Sequence, residues 1–303
     1  MPAEFPAVPV PADLEGQRLD QALALLAPEL GLRGRKRLFE HYLVLVDGRP
    51  RPKGYRVQAG QVLCLRPRGD AAAEAPDGVP DGVRVAGQST GRYAALVKPV
   101  GLHTEAVAGS PEPSLEALLP RFFPDRFARL LNRLDRETSG LVLAALSPEA
   151  EAAYRSQEAG LSVKKSYLAL ARGSVWAEVR LDAALDTADR TRVKVLPGPD
   201  PDPARHTLVT PLLYNDELAA TLVRAVIHRG ARHQIRAHLA AAGHPLVGDA
   251  AYGPARADGQ GGPLFLHHYC IHLTTLDFAA KAWPTWPQWE EWSQALDLAA
   301  LVA

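Results

Sequence analysis

The side chains in this 303-residue chain whose types and spacing could do chemistry are a few carboxylates, guanidiniums and one strand tyrosine. Arg-Leu-Asp occurs at 18–20, 133–135 and 180–182, so the tripeptide alone selects nothing. The middle copy differs in its surroundings. In NRLDRETSGLVLAA (132–145), Asp135 sits in a polar turn followed by Thr138, Ser139 and Gly140, and then by an apolar, strand-like run. A carboxylate on a loop held by a rigid element is a common way to present a catalytic group. The same spacing also allows Asp135 to pair with Arg133 or Arg136 in a solvated turn. Taken alone, Tyr167 in the strand-like SYLALA reads as a packed core aromatic, and Arg236 as a solvated helix residue.

The elements that must hold these groups follow from the apolar pattern. AALVKP, LVLAAL, SYLALA, TLVTPLLY and ATLVRAVIH read as buried strands. Ser147-Pro148 reads as the N-cap and first residue of a helix running to Glu158, ended by Gly160. A helix is expected over 231–242, stopped by Gly243 with Pro245 beyond. On it Ile235, Leu239 and Ala242 form an apolar stripe, Arg232 and Arg236 share another face, and His233 and Gln234 are supporting residues. Trp283, Trp286, Trp289 and Trp292 recur every third residue and are expected to pack on the core rather than stack on bases.

Before residue 91 the chain has another character. An extended arm of a dozen residues precedes a helix over 18–26 (Leu19, Leu23 and Leu26 on one face) and a second over 35–42 that opens on Arg33, Arg35, Lys36 and Arg37. The strand VLV, the hairpin signal Asp47-Gly48 and a strand over 62–65 after the Gly60 turn complete a small unit. Residues 68–90, rich in Ala, Gly, Pro and Asp, read as a linker.

Lys+Arg and Asp+Glu both number 34, but residues 1–68 carry eleven cations against seven anions. Clustered cations, not global charge, are what a polyanion requires. Cys64 and Cys270 lack metal-type spacing and read as small buried hydrophobes. Of the histidines 228, 233, 238, 244, 267, 268 and 272, none forms H-E-x-x-H, which argues against a metal-dependent hydrolase. No leader opens the chain, and no apolar run approaches the ~20 residues of a membrane span. A cytoplasmic monomer is expected, without membrane or metal.

The chemistry-bearing string is similar to the H-R-L-D-x-x-T-S-G-L motif of the RluA-type RNA pseudouridine synthases. VKPVGLHT (97–104), KKSYLAL (164–170), RHQIRAHLAAAGHPLVGDAAYG (232–253) and LFLHHY (264–269) resemble further segments of that family, in its order. The resemblance implies an α+β catalytic domain over 91–303 with a mixed, largely antiparallel sheet. Residues 15–67 resemble, more loosely, the small α/β alpha-L RNA-binding module. It implies isomerisation of uridine in a structured RNA, ribosomal or transfer, without a cofactor. Asp135 matches the aspartate that adds to the uridine, at C6 or at C1′. Tyr167 matches the tyrosine that stacks on the uracil, Arg236 the arginine that pairs with the aspartate, and Arg133 the arginine assigned to the space left by the extruded nucleotide. Arg35, Lys36, Arg37 and Arg232 are expected to contact RNA, with Thr138, Ser139, Gly140, His233 and Gln234 supporting. Two positions depart from the family: Asn132 replaces the histidine before R-L-D, and Ala231 interrupts the G-R-T/S-H-Q run. A catalytically inactive RNA-binding protein on the same fold is the rival reading, which loss of Asp135, Tyr167 or Arg236 would favour.

Overall fold

The computed structural model is described for residues 7–28, 30–47, 49–67, 79–89, 91–107, 109, 112–189, 191–254 and 262–302. Residues 1–6 of the expected arm, Gly48, most of the expected linker (68–78 and 90) and the Arg37 side chain lie outside the described residues. The chain divides into two compact units, Met1–Ala73 and Glu74–Ala303.

In the first unit, β1 (Val8–Pro9), α1 (Leu19–Ala22), α2 (Leu32–His41), β2 (Tyr42–Val46), β3 (Arg49–Pro50) and β4 (Val62–Pro67) follow in order. The strands form an antiparallel sheet ordered β1-β4-β2-β3. Leu19, Leu23 and Leu26 are buried with Leu38, Val44 and Leu63, so the expected apolar face is the core face. The first helix is shorter than the pattern suggested, because Leu23–Leu25 tightens into a 3-10 turn. The second starts three residues earlier than expected, and Tyr42 already belongs to β2. Asp47 takes a left-handed φ of 50° while its Oδ1 accepts the Val62 N–H at 2.8 Å, so one side chain closes both the β2/β3 turn and the start of β4. Cys64 is only half-buried, a correction to its reading as a core residue, whereas Cys270 is buried.

The second unit contains β5 (Arg84–Gln88), β6 (Tyr93–Lys98), α3 (Leu115–Phe122), β7 (Arg129–Leu130), β8 (Ser139–Ala145), α4 (Pro148–Ala159), β9 (Val163–Arg172), β10 (Val179–Leu181), β11 (Ala183–Asp186) and β12 (Lys194–Pro199). It continues through β13 (Thr207–Asn215), β14 (Ala220–Ile227), α5 (Gln234–Ala241), β15 (Leu266–Leu273), β16 (Phe278–Lys281), α6 (Trp289–Gln294) and α7 (Leu298–Val302). The main sheet runs β10-β13-β14-β9-β15-β8-β6-β5, with β16 on β15 and β7 on β8. Among the described residues its one parallel contact joins β15 to β8, and the other pairs are antiparallel. The mixed, largely antiparallel α+β expectation therefore holds. Strand β5 corrects the linker reading of 68–90. The segment RVAGQ lacks an apolar alternation because it is an edge strand, none of whose residues is fully buried.

Period-2 alternation sorts the strands into two faces. Tyr167, Ala169, Val223, Ala225, Val142 and Leu96 share one core with α3 and with Ile235 and Leu239 of α5. Leu141 and Leu143 face the other way, against Ala150 and Tyr154 of α4. Leu168 and Leu170 also face that way and meet Trp292, with Trp283 stacked on Tyr269 at 5.3 Å, so the tryptophan run packs on the sheet as expected. The parallel β15/β8 contact explains Gly140. Its φ is 116°, and a Cβ there would lie 2.3 Å from the His268 carbonyl oxygen.

His267 and His268 are carried inside this sheet as neutral rings. His267 donates from Nε2 to the Ala282 carbonyl (2.8 Å), so its Nδ1 accepts from Ser139 Oγ (2.8 Å). Burial, opposed by these carbonyl bonds, lowers His267 to about 4 and His268 to about 3. Unfolded histidines titrate near ~6.5, so below that pH the unfolded chain binds protons that the folded chain refuses. Stability should therefore fall as pH drops from ~6.5 towards 4, with a slope approaching about 2.7 kcal/mol per pH unit for the pair. Urea unfolding between pH 6.5 and 5, above the main carboxylate range, checks this; a flat profile there contradicts it.

Candidate active site

Asp135 lies on the 131–138 loop between β7 and β8, and the sequence around it explains why that loop is rigid. Leu131 N–H still donates to Leu143 C=O, after which the Asn132 side chain takes over from the backbone. Asn132 Oδ1 accepts Leu143 N–H (2.7 Å) and its amide donates to Leu141 C=O (3.4 Å). The residue that departs from the family motif thus completes the strand pairing. Thr104 Oγ1 accepts from Leu134 N (3.1 Å) and donates to Leu134 C=O (2.6 Å). Beyond Asp135, the Arg136 carbonyl receives Gly101 N–H (2.8 Å) and Lys98 Nζ (3.3 Å). Lys98 is wholly buried and also donates to the Pro99 and Leu102 carbonyls. Burial lowers its pKa to about 8, against the pull of Asp135 and Glu137.

Arg236 approaches from α5. Its Nε and Nη2 donate to the two oxygens of Asp249, both at 2.8 Å, and its Nη1 donates to Asp135 Oδ2 at 3.2 Å. The arginine is 5% exposed and the Asp249 side chain 0%. Burial would raise the Asp249 carboxyl, but Arg236 and the N–H groups of Tyr252 and Ala251 hold it below its ordinary value. The solvated-helix reading of Arg236 therefore fails, as does the pairing of Asp135 with its sequence neighbours. Arg133 is 72% exposed and pairs with Glu105, while Arg136 pairs with Glu112.

Tyr167, paired in register with His268, stacks its ring on that imidazole at 4.5 Å. Burial first, and then the charge of Asp135, push its phenol well above the usual tyrosine range, so it rests protonated. Asp135, Tyr167, Arg236, His233, Gln234 and Thr138 line one cleft of about 770 Å³. Its other walls include Arg133, Arg136, Arg155, Lys165, Arg229 and Arg232, so seven Lys/Arg face four Asp/Glu although the whole chain is neutral.

The remaining expected residues divide. Gln234 is buried, donates to the Arg205 carbonyl (2.6 Å) and accepts Ala231 N–H (2.9 Å). Its neighbour His233 has φ 51°, so α5 begins at Gln234 rather than at 231. Arg232 therefore leaves the face expected for it, and its guanidinium donates to the carbonyls of Thr187 and Asp189. Ser139 and Gly140 serve the β8/β15 contact rather than the cleft. Thr138 anchors the turn through its N–H to the Asp135 carbonyl (3.1 Å). In the other unit, Arg35 donates to the Gln21 carbonyl and Lys36 is exposed. Among the described residues no cluster of three or more His, Cys, Asp or Glu could hold a metal ion, and no helix is long and apolar enough to cross a membrane.

Sequence reasoning assigned nothing to Asp249, Lys98, Thr104 or Tyr252. Asp249 could have been sought, because a buried arginine whose other partner is a partly exposed carboxylate needs a second counter-charge.

A ten-stranded mixed sheet brings a carboxylate, a guanidinium and a stacked tyrosine into one basic cleft, and the comparisons place that arrangement among RNA-modifying enzymes. The profile of the family described as RNA pseudouridylate synthase matches residues 92–241. An uncharacterized RNA pseudouridine synthase of Chloroflexus aurantiacus is 30% identical over 88% of this chain and 84% of the relative. A ribosomal large subunit pseudouridine synthase D of Nitrosomonas europaea is also 30% identical, over 82% and 72%. In fold, the human RNA Pseudouridylate Synthase Domain Containing 1 superposes with a TM-score of 0.57 at 23% identity, covering 74% of this chain and 94% of that one. The chain belongs to the RluA-type RNA pseudouridine synthases.

Asp249→Asn should cost about 3–5 kcal/mol, because it leaves a buried guanidinium with half its counter-charge. Urea unfolding at pH 7 measures it; a loss under about 1 kcal/mol would mean that Asp249 is not the anchor of Arg236.

Proposed function

We propose that this protein converts uridine to pseudouridine in large-subunit ribosomal RNA, with Asp135 as the nucleophile. The observation that carries the reading is the clamp on Asp135: a buried arginine, fixed on two of its edges by Asp249, donates its third edge to Oδ2. Among the described residues Asp135 Oδ1 receives no hydrogen bond, so one oxygen is held and the other is free to act as the nucleophile. In the reaction the N1–C1′ bond breaks and a C5–C1′ bond forms. N1 ends protonated and the C5 hydrogen is lost to solvent. The balance involves no net oxidation and no second substrate. Attack of Oδ1 at C1′ or at C6 are both compatible with this cleft.

A uridine in folded RNA must leave its stack to reach Asp135, at a cost of a few kcal/mol. Stacking on Tyr167 offsets on the order of 1–3 kcal/mol of that. The phenol rests protonated and so serves first as a hydrogen-bond donor. Arg133, exposed at the mouth of the cleft, is suited to the space the nucleotide leaves. The excess of guanidiniums suits phosphates. Ribosomal RNA is preferred over transfer RNA because the Nitrosomonas europaea relative carries that substrate in its name. Pseudouridine mapping in both RNAs, with and without the gene, decides between them.

Asp135→Asn keeps the shape and removes the negative charge. It should lower tritium release from C5-labelled uridine by roughly a thousandfold or more while RNA binding persists. Asp182→Asn, in another Arg-Leu-Asp copy, should keep near-normal turnover. Substantial release by the Asp135 variant ends the mechanism.

The Met1–Ala73 unit, with Arg33 and Lys36 exposed on its second helix, is proposed to add affinity without chemistry. Removing it should weaken RNA binding and flatten its salt dependence. Equal affinity of the truncated and full chains over a salt series would show that the unit has another task.

A further inference from the structure

The string Gly248-Asp249-Ala250-Ala251-Tyr252 folds as a tight turn over Leu246, and it delivers two side chains to the active site. Gly248, at φ 80°, lets the Pro263 carbonyl pass where a Cβ would lie 1.9 Å from it. Asp249 then meets Arg236, and Tyr252, three residues on, reaches the other side of the same centre. Two guanidiniums lie over the Tyr252 ring, Arg192 at 5.2 Å and Arg236 at 5.5 Å from its centroid. Its hydroxyl oxygen accepts Val193 N–H at 2.7 Å and lies 3.0 Å from His233 Nδ1. His233 Nε2, on the far side of that imidazole, is 3.7 Å from Asp135 Oδ2.

Proton counting orders this chain. A backbone N–H can only donate, so the phenolic oxygen is the acceptor for Val193 and its single hydrogen is directed elsewhere. His233 Nδ1 is the one acceptor for it among the described residues. With an O–H donated to Nδ1, the neutral ring carries its hydrogen on Nε2, the nitrogen that faces the carboxylate. The opposite tautomer would turn a lone pair towards Asp135 and leave the phenolic hydrogen without a protein acceptor.

We infer that Tyr252 is a positioning residue that fixes the Nε2–H tautomer of His233, so that His233 and Arg236 both present N–H to Asp135 Oδ2 and leave Oδ1 as the attacking oxygen. The 3.7 Å separation is longer than a hydrogen bond, so His233 acts on Oδ2 by turning an N–H dipole towards it rather than by a formed bond. Burial lowers the pKa of His233, outweighing the pull of Asp135, with Arg236 and Arg232 adding to the lowering, and this favours the neutral ring that the tautomer requires. The inference rests on Asp135 being the nucleophile.

The tautomer can be read directly in the RNA-free, full-length protein. Long-range proton–nitrogen spectra of histidine-labelled enzyme, with His233 assigned through its loss in His233→Gln, should show Nδ1 unprotonated. A predominant Nδ1–H form overturns the inference while leaving the nucleophile assignment intact; an active Asp135→Asn enzyme ends the nucleophile assignment and with it the role of Oδ1, while an unprotonated Nδ1 would still stand as the tautomer. Single-turnover rates on saturating RNA give the second arm. Tyr252→Phe keeps the ring beside its arginines but loses the hydroxyl, and should slow the reaction by about 10-fold, the order of one hydrogen bond. His233→Gln supplies a side-chain N–H that no tautomer governs. In that background Tyr252→Phe should cost nothing further. Losses that multiply in the double variant, or an unchanged rate in Tyr252→Phe alone, would show that Tyr252 does not act through His233.

Discussion

Arg236 is a permanent cation that the fold buries to 5% exposure, and most of the catalytic unit can be understood from what that requires. Removing a guanidinium from water costs several kcal/mol unless its donors are paired. Asp249 takes two donors in a planar fork, which fixes the plane of the guanidinium and hence the direction of its third edge. That edge is a fixed point in space. The Asp135 loop is brought to it by an unrelated set of bonds, from Thr104, Gly101 and Lys98, none of which involves α5. Two rigid pieces, built from opposite ends of the unit's sequence, meet over 3.2 Å. The sheet that joins them therefore has to hold register across β8, β15 and β9. Gly140 is where that register is tightest, since any side chain there would collide with the His268 backbone.

How far the sequence could foretell this depends on what kind of physics each feature uses. Strands β6, β8, β9 and β14 are legible because both of their faces are covered, so their apolar runs are nearly continuous. Strand β5 is not, because an edge strand of intermediate burial can be written in residues that also suit a linker. The start of α5 differs from the expected one because a single left-handed residue, His233, decides it, and although histidine is enriched in that conformation it still adopts it too seldom to mark a boundary. That shift of three residues changes function as well as boundaries: it sends Arg232 to the carbonyls of Thr187 and Asp189 instead of beside Arg236. Asp135, Tyr167 and Arg236 were legible through family resemblance and not through spacing, which by itself favours a structural role for each. Their convergence in one cleft is a tertiary fact. Asp249 and Tyr252 leave no periodic signal, because a hydrogen-bonded pair has no sequence period; only the need of a buried arginine for a counter-charge points to Asp249.

The two carboxylates on Arg236 are not redundant. On the proposed reading, Asp135 loses its charge whenever it is covalently joined to the nucleotide. A guanidinium held by that carboxylate alone would then sit buried and uncompensated in the middle of the reaction. Asp249, wholly buried and out of reach of substrate, keeps Arg236 paired throughout. The same change of charge acts on Tyr167. Its phenol is held above the ordinary range by burial and, beyond that, by the negative charge of Asp135. When the adduct forms, the second contribution vanishes and the phenol becomes a stronger acid, while the first keeps it from ionising freely. On that reading, formation of the adduct makes Tyr167 a readier proton donor at the stage when N1 of the detached or rotated base takes up its proton.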